Sequence, residues 1–365
     1  MEGLRFFMNV QAASGRYSSY LSGRVRGLRG RSIEGGETMR KLAILCTASL
    51  FCLFGATLPA PAPAAETLKL AHASSEDSLI NQAVKIFAEK VAAGTGGAVT
   101  VQIFPNGQLG DEGPIADGVG SGSIDIGLGG VFDAIDPKLG VVTLPFLFKD
   151  SKAVHAYLDS PEGAKLFALG ADRGYRLLGA LDSGFRNFAS SKGPIATPAD
   201  LKGLKIRTPP NPVILATMKQ LGALPQSVPF GEVYTALQSK VVDAVEPEIR
   251  DFYDQKWYES VKFVSVSNYI WTPNYWYMNK AKYDALAADQ RKAVDDAVAA
   301  TTAWYRDQLD AAIAKVFADL KAKGVAVNAV DTAPFQAMVD PVYADFSKQW
   351  GADFVQSVRK AASGG

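Results

Sequence analysis

Short apolar runs alternate with segments of helical periodicity after residue 65, and this order restricts the fold more than any other feature of the chain. Leu68 to Ala71 is an apolar run, and the Ser- and Asp-rich stretch after it leads into apolar residues at helical spacing that end at Gly94. Alternation over 99–103 predicts a second strand, and a glycine-rich helical segment follows the turn PNGQLG. SIDIGLGG at 123–130 predicts a third, buried strand. The order β-α-β-α-β predicts a mostly parallel α/β sheet covered by helices on both faces.

The same alternation resumes in the second half of the chain. The strand-like runs YRLLGAL, LKIRTP and VVDAVEP begin at residues 175, 204 and 241. Helical spacing over 213–221 and 231–239 predicts two further helices. We expect these elements to form a second sheet, separate from the first.

An Ala-rich segment predicts one unusually long helix. It runs from Tyr283 to about Lys323 and contains no proline, and no glycine before Gly324. We interpret this helix as a brace between two lobes, each built from two stretches of the chain. Lobe I is predicted to hold residues 65–183 and 272–312, and lobe II residues 184–271 and 313–365, with the C-terminal tail.

The first 64 residues have the pattern of an export segment. Met39 is followed by two basic residues, an apolar run and the small-residue stretch PAPAPAAE, which are the parts of a secretory signal peptide. We place this signal at 39–64, with cleavage after Ala64 or Ala65. Residues 1–38 carry arginines without hydrophobic periodicity, and we interpret them as a misassigned start or a disordered extension.

Composition after the signal excludes several classes of protein. Cys46 and Cys52 both lie inside the signal, so the exported chain has no disulfide and no thiolate chemistry. The first 64 residues also hold eight of the 38 basic and three of the 37 acidic residues, which leaves a net charge of −4 and no indication of nucleic-acid binding. No later apolar run approaches the roughly 20 residues that cross a bilayer. We expect a periplasmic monomer, long enough for two domains.

The exported chain is poorly supplied with catalytic motifs. Its two histidines, His72 and His155, are too few and too far apart for a histidine-based zinc site. It has no HExxH, CxxC or GxSxG motif and no glycine-rich phosphate loop ending in GK[ST]. We therefore expect neither an enzyme nor a resident metal or cofactor.

Arg207 is the residue that most suggests a binding site. It ends an apolar strand, and the two prolines from Pro209 onward fix the backbone that aims it. A guanidinium matches a carboxylate bidentately and cannot escape burial by losing its proton, so we predict that Arg207 binds an anion. The alternative is a surface arginine paired with a nearby aspartate. His72 and Glu246 also follow strands, and we expect them to reach the same cleft, because ligands of open α/β sheets bind at the carboxyl ends of strands.

Two motifs at a characteristic separation form the most specific pattern in the chain: LKGLKIR at 201–207 and FGEVYTALQSKVVDAVE at 230–246. With segments spread over residues 66–345, they resemble the solute-binding proteins of tripartite ATP-independent periplasmic (TRAP) transporters, the DctP-like family. The resemblance implies a two-lobed α/β fold, with mixed sheets flanked by helices and the lobes joined by crossing strands and one long helix. It also implies closure around a small organic acid and delivery to a permease of one small and one large membrane subunit.

Three other functions stay open at this point. A solute-binding protein of an ATP-driven importer shares the two-lobed design, and a ligand-presenting sensor would share the binding site. A periplasmic enzyme of carboxylate metabolism would need catalytic groups that the motifs do not supply.

The resemblance also implies roles for individual residues. Arg207 matches the family arginine that forms a bidentate salt bridge with the ligand carboxylate. Arg186, in GFRN, matches a second cationic position, and Phe230 matches an aromatic residue that packs on the ligand or its neighbours. Arg186 could instead brace the hinge, and Phe230 could be ordinary core.

Two departures from the family pattern bear on the ligand. Many members have VDGQEN, whose asparagine contacts ligand, whereas VDAVEP here places Glu246 and Pro247, and Pro247 has no side-chain donor. Gly129 and Gly130 stand where sialic-acid binders have a glutamate, which argues against sialic acid. We expect a hydroxy acid, sugar acid or short monocarboxylate, with an aromatic acid as an alternative. Further candidates for contact with the ligand are Arg250, Trp271, Asn274, Tyr275, Trp276 and Asn211.

Overall fold

The computed structural model describes residues 65–130 and 133–364, and the predicted signal at 39–64 and extension at 1–38 lie outside these ranges. Nine strands form within the described part of the chain. They are β1 (Glu66–His72), β2 (Val99–Phe104), β3 (Ile126–Gly129), β4 (Tyr175–Ser190), β5 (Lys205–Thr208), β6 (Leu224–Ser227), β7 (Ala244–Val245), β8 (Phe263–Asn279) and β9 (Ala326–Ala329).

Helices cover the sheet. The α-helices of the same residues are α1 (Leu79–Gly94), α2 (Glu112–Ser121), α3 (Ser151–Leu158), α4 (Pro161–Phe167), α5 (Pro212–Gln220), α6 (Val233–Gln238), α7 (Ile249–Asp254), α8 (Lys280–Ala285), α9 (Ala288–Ala322), α10 (Ala333–Gln336), α11 (Asp340–Trp350) and α12 (Ala352–Ala362). Short 3-10 turns occupy Pro137–Thr143, Ala171–Arg173, Pro198–Leu201, Phe230–Glu232 and Trp257–Glu259. None of the helices in the described ranges is long and apolar enough to cross a membrane.

The strands form one mixed sheet, so the prediction of two separate sheets was wrong. The strand order is β2-β1-β3-β8-β4-β7-β5-β6, and β9 adds to β8. The parallel groups β1–β3 and β5–β7 are joined by the antiparallel pair of β4 and β8, whose ladder runs from Tyr175 opposite Asn279 to Ser190 opposite Phe263. Sequence patterns missed this continuity because β4 continues through the polar stretch DSGFRN, whose side chains are buried by pairing with other polar groups.

The two ends of the sheet form two lobes, which β4 and β8 connect. Register shifts in this pair fall between Leu177 and Gly179, between Asp182 and Gly184 and between Arg186 and Phe188, and the last two lie in the crossing region. The predicted boundaries at 183/184 and 271/272 lie in this crossing region and stay a prediction.

Helix α9 belongs to the cores of both lobes. Val294, Val298 and Leu309 pack with β1 and α1, whereas Val316 and Leu320 pack with α6 and α7. The helix has 35 residues, but it begins at Ala288 and not at Tyr283. The chain is extended at 286–287, and the Gln290 side chain accepts a hydrogen bond from the backbone N–H of Ala287 at 3.0 Å, which starts the helix anew.

Other predicted elements differ mainly in their extent. The strands predicted near 68, 99 and 126 and the helix predicted at 213–221 are confirmed. The strand predicted over 241–247 is reduced to Ala244–Val245, and the helix predicted over 231–239 is a 3-10 turn followed by α6. The chain turns at Lys240, which has a positive φ of 58°, and the strand is formed by Ala244 and Val245.

Candidate functional site

A polar cavity of about 40 Å³ lies between the two lobes, beside the crossing of β4 and β8. The residues after β1 and β3 and the first residue of α2 line it from lobe I. The end of β5 and the start of α5 and α7 line it from lobe II, and Ser183, Arg186 and 272–274 line it from the crossing strands. The carboxyl ends of β1, β3 and β5 therefore meet at one cavity, as open α/β sheets favour.

Arg207 reaches this cavity from β5 without an ion-pair partner among the described residues. Only 3% of the residue is exposed, and its Nε donates to the carbonyl oxygen of Val228 at 3.0 Å. Its Nη2 has no hydrogen-bond partner in this part of the chain, and the guanidinium carbon lies 5.8 Å from the ring centre of Trp257. Burial, reinforced by the nearby charge of Arg186, lowers the pKa of Arg207 to about 10, so the group is still a cation at neutral pH.

Arg186 lines the same cavity but is fully paired. Its Nε and Nη2 donate to the two carboxylate oxygens of Glu246 at 2.5 and 2.9 Å, and its Nη1 lies 2.7 Å from Oε2 of Glu248. The hydroxyl of Tyr269 donates to Glu246 at 2.5 Å, and the hydroxyl of Thr272 donates to Glu248. One buried cation and two carboxylates therefore form a closed network.

Glu112, which sequence reasoning missed, faces the cavity from the first turn of α2. Its Oε1 accepts a hydrogen bond from the backbone N–H of Gly130 at 2.8 Å. A Cβ at Gly129 would lie 2.9 Å from the same oxygen, so the glycine pair leaves the room that this carboxyl fills. Burial raises the pKa of Glu112 to about 7. The acidic group is thus supplied by α2, and only the run GDEG after a predicted turn could have suggested it.

Three more predicted residues line the cavity. Phe230 packs edge-on against Trp257, with ring centres 5.6 Å apart. Asn211 caps α5, where its Oδ1 accepts from two backbone N–H groups at 2.9 and 3.1 Å. The Asn274 amide donates to the hydroxyl of Ser183. The structure therefore brings Arg207, Arg186, Phe230, Asn211 and Asn274 together.

The remaining predicted residues are buried away from the cavity surface. Glu246 lies behind Arg186, and His72 contacts the Asn81 side chain at 3.1 Å; burial lowers the pKa of His72 to about 4. The Arg250 guanidinium donates to the Tyr305 hydroxyl. Three aromatic residues of β8 pack elsewhere: Trp271 donates to Asp182 at 2.5 Å, Tyr275 donates to the Leu139 carbonyl at 3.3 Å, and Trp276 packs against Phe87.

Strand geometry explains this division within β8. Successive side chains of a strand point to opposite faces, and accordingly Trp271 and Tyr275 belong to the core, whereas Thr272 and Asn274 line the cavity, with Pro273 between them also at its wall. The sequence reasoning treated the aromatic cluster as one group and missed Glu248, Asp251 and Trp257. Glu248 stands two residues after Glu246, a spacing that could have indicated a pair of acids. The described residues contain no group of three or more His, Cys, Asp or Glu side chains that could hold a metal ion.

Comparisons with known proteins agree with this architecture. Residues 70–349 match the DctP model, described as bacterial extracellular solute-binding protein, family 7. The 2,3-diketo-L-gulonate-binding periplasmic protein YiaO of Escherichia coli is 32% identical over 283 residues, which cover 77% of this chain and 86% of YiaO.

Two solved structures illustrate the similarity of fold. The sugar acid binding protein DctPAm of Advenella mimigardefordensis, in complex with galactonate, is 30% identical with a TM-score of 0.79, and the match covers 82% of this chain and 98% of that one. A TRAP periplasmic solute-binding protein of Sulfurospirillum deleyianum with bound succinate is 29% identical with a TM-score of 0.75, covering 81% and 99% of the two chains.

Proposed function

Because the chain belongs to family 7 of the bacterial extracellular solute-binding proteins, we propose that it is the periplasmic substrate-binding component of a TRAP transporter. It captures a small organic acid between its lobes and delivers it to a permease with one small and one large membrane subunit. The 39–64 segment exports it, and the mature protein acts as a monomer. Relatives in this family are binding proteins, which favours capture over catalysis.

The cation of Arg207, which has no ion pair among the described residues, is the observation that carries this proposal. A buried charge without a partner is costly, and a carboxylate that accepts from Nη2 would supply the missing partner. Arg186 is already paired with Glu246 and Glu248, so its charge is balanced by carboxylates of the protein and does not need the ligand carboxylate. Arg207 is therefore the anchor for the ligand carboxylate, and Arg186 holds the anchor's surroundings in place.

The ligand is a small acid of the hydroxy-acid or sugar-acid class. Galactonate and succinate are bound by two similar structures, and YiaO is named for a sugar acid. Asn211, Asn274 and Ser183 line the cavity beside Arg207 and offer donors and acceptors suited to ligand hydroxyls. Phe230 and Trp257 form the apolar part of its wall.

Lobe closure couples ligand capture to delivery. The ligand contacts both lobes only when the cleft is shut, so binding shifts the population toward the closed form. One hydrogen bond across the cleft supports this view, since Asp111 of lobe I accepts from the backbone N–H of Gly231 of lobe II at 3.3 Å. The permease would then recognise the closed form.

A thermal-shift screen tests the proposal. Residues 65–365 are melted with galactonate, glucuronate, succinate, glycolate, benzoate and, as a non-acid, galactose. A ligand at 100 times its dissociation constant adds about 2.7 kcal/mol, which raises the midpoint by several degrees for a chain of this length. We expect a shift with at least one acid and none with galactose.

Two variants decide whether Arg207 is the anchor. Arg207→Ala removes one partner of a buried charge pair, which costs about 2–5 kcal/mol, so affinity falls by at least about thirtyfold. Lys205→Ala removes a charge from the same strand at an exposed position and keeps wild-type affinity. Retained affinity in Arg207→Ala would contradict the anchor, and no shift with any acid would contradict the proposed function.

A further inference from the structure

Two acids that line the cavity make no ion pair within the described chain: Glu112 and Asp251. They differ in the cations that act on them. Arg207 is the cation that acts electrostatically on Glu112, whereas Arg250 and Arg186 act on Asp251. Burial raises the pKa of both carboxyls, but only for Glu112 is Arg207 among the charges with the largest effect.

The position of Glu112 is fixed by the backbone of lobe I. Its Oε1 accepts from the N–H of Gly130 at 2.8 Å, and Cβ atoms built on Gly129 and Gly130 would lie 2.9 and 3.8 Å from that oxygen. Asp111, the residue before it, caps α2 by accepting from the backbone N–H of Glu112 at 2.8 Å. The carboxyl is thus held at the wall of the cavity that Arg207 also lines.

Opposing influences act on the Glu112 carboxyl, and burial is the largest. Burial raises its pKa to about 7, the Gly130 N–H and Arg207 oppose this rise, and Asp111 and Glu248 add to it. Tyr277 of β8 also packs near the carboxyl, and burial keeps the pKa of this tyrosine well above its usual range. A small change in the local charge therefore decides whether Glu112 is ionised at neutral pH.

We propose that Glu112 takes up a proton from solvent when an organic acid binds at Arg207, so that acid and proton enter the site together. This inference rests on the proposed function, because it requires the ligand carboxylate at Arg207. The ligand's negative charge offsets that of Arg207 and also repels an ionised Glu112, and both effects favour the protonated carboxyl. Protonated Glu112 can then donate a hydrogen bond to a ligand oxygen.

The sign of the pH dependence follows from this uptake. The complex binds more protons than the free protein, so affinity falls as pH rises above the pKa of free Glu112, by up to tenfold per pH unit for one proton. Aliphatic acids are ionised above about pH 5, so their own titration does not contribute over this range.

Titration calorimetry at pH 6.5 and 8.5 tests the inference, with whichever of galactonate, glucuronate or succinate gives the largest thermal shift. We expect wild-type affinity to fall at least about tenfold between these pH values. Glu112→Gln should bind with the same affinity at both, and at pH 8.5 more tightly than wild type. Asp251→Asn removes the other cavity acid whose pKa burial raises, and because Arg207 is not among the main charges acting on Asp251, this variant should keep the wild-type pH dependence.

A pH-independent wild-type affinity would overturn the inference, as would a profile that flattens in Asp251→Asn and not in Glu112→Gln. Binding heats of the wild type in phosphate and Tris at pH 7 provide a second measurement that needs no variant, and equal heats would show that no proton is taken up. Binding that Arg207→Ala abolishes at every pH, without pH dependence in the wild type, would leave the proposed function standing and reject only the role of Glu112. If no acid binds the wild type, both fail.

Discussion

The two arginines of the cavity occupy different electrostatic regions of one site. Around Arg186, at the crossing of the strands, three guanidinium nitrogens meet the carboxylates of Glu246 and Glu248. Around Arg207, at the end of β5, the hydrogen bond that the protein itself supplies comes from the Val228 carbonyl. Both arginines are buried, so burial alone does not identify the residue that binds the ligand. What distinguishes Arg207 is a buried charge that the described chain leaves without an ion pair.

The largest loss of folding stability should come from removing Arg186, the cation that pairs with Glu246 and Glu248. Arg186→Ala leaves two buried carboxylates without their cation, so the free energy of unfolding should fall by about 3–5 kcal/mol, measured by urea unfolding at pH 7. Arg207→Ala removes a buried charge that has no ion pair among the described residues, so the free energy of unfolding of the free protein should not fall.

A third arginine serves as the control for that experiment. Arg306 also forms a bidentate pair, with Asp159 at 2.7 and 3.0 Å, but 62% of the Asp159 side chain is exposed. Arg306→Ala should cost no more than about 1 kcal/mol. Equal stability losses in Arg186→Ala and Arg207→Ala would remove the distinction between the two regions.

A smaller loss of affinity should show whether Arg207 acts through its planar guanidinium or only through its positive charge. Arg207→Lys keeps the positive charge but loses the planar fork, so one of two charge-assisted hydrogen bonds to the ligand carboxylate is lost. Affinity for the acid should fall about tenfold, or ~1.4 kcal/mol, by titration calorimetry. A wild-type affinity in this variant would mean that charge alone holds the ligand, whereas a loss as large as that of Arg207→Ala would mean that geometry accounts for all of it.

The sequence was sufficient for the local elements and for the ends of strands. LKIRTPP identified both β5 and the residue at its end, because prolines and a terminal arginine are local signals. Continuity of the sheet was not visible, because β4 passes through DSGFRN, and its polar side chains are buried only after Glu246, Glu248 and Tyr269 come from distant parts of the chain.

The residues of the candidate site could be predicted from the sequence only where a local motif marks them. Arg207, Phe230 and Asn274 could be proposed from motifs, and each lines the cavity. Glu112 had only the weak signal of the run GDEG, because its role depends on the space left by Gly129 and Gly130, which tertiary packing reveals. Trp271 was proposed for its chemistry, but the alternation of β8 turns its side chain into the core.

A crystal structure of the mature protein with the acid selected by the thermal-shift screen would show directly whether Arg207 binds the ligand carboxylate. We expect two parallel hydrogen bonds of about 2.7–2.9 Å from the Arg207 guanidinium to the ligand carboxylate, with the Arg186 pairs to Glu246 and Glu248 intact. A carboxylate bound to Arg186 in place of Glu246, or held without contact to Arg207, would contradict this expectation.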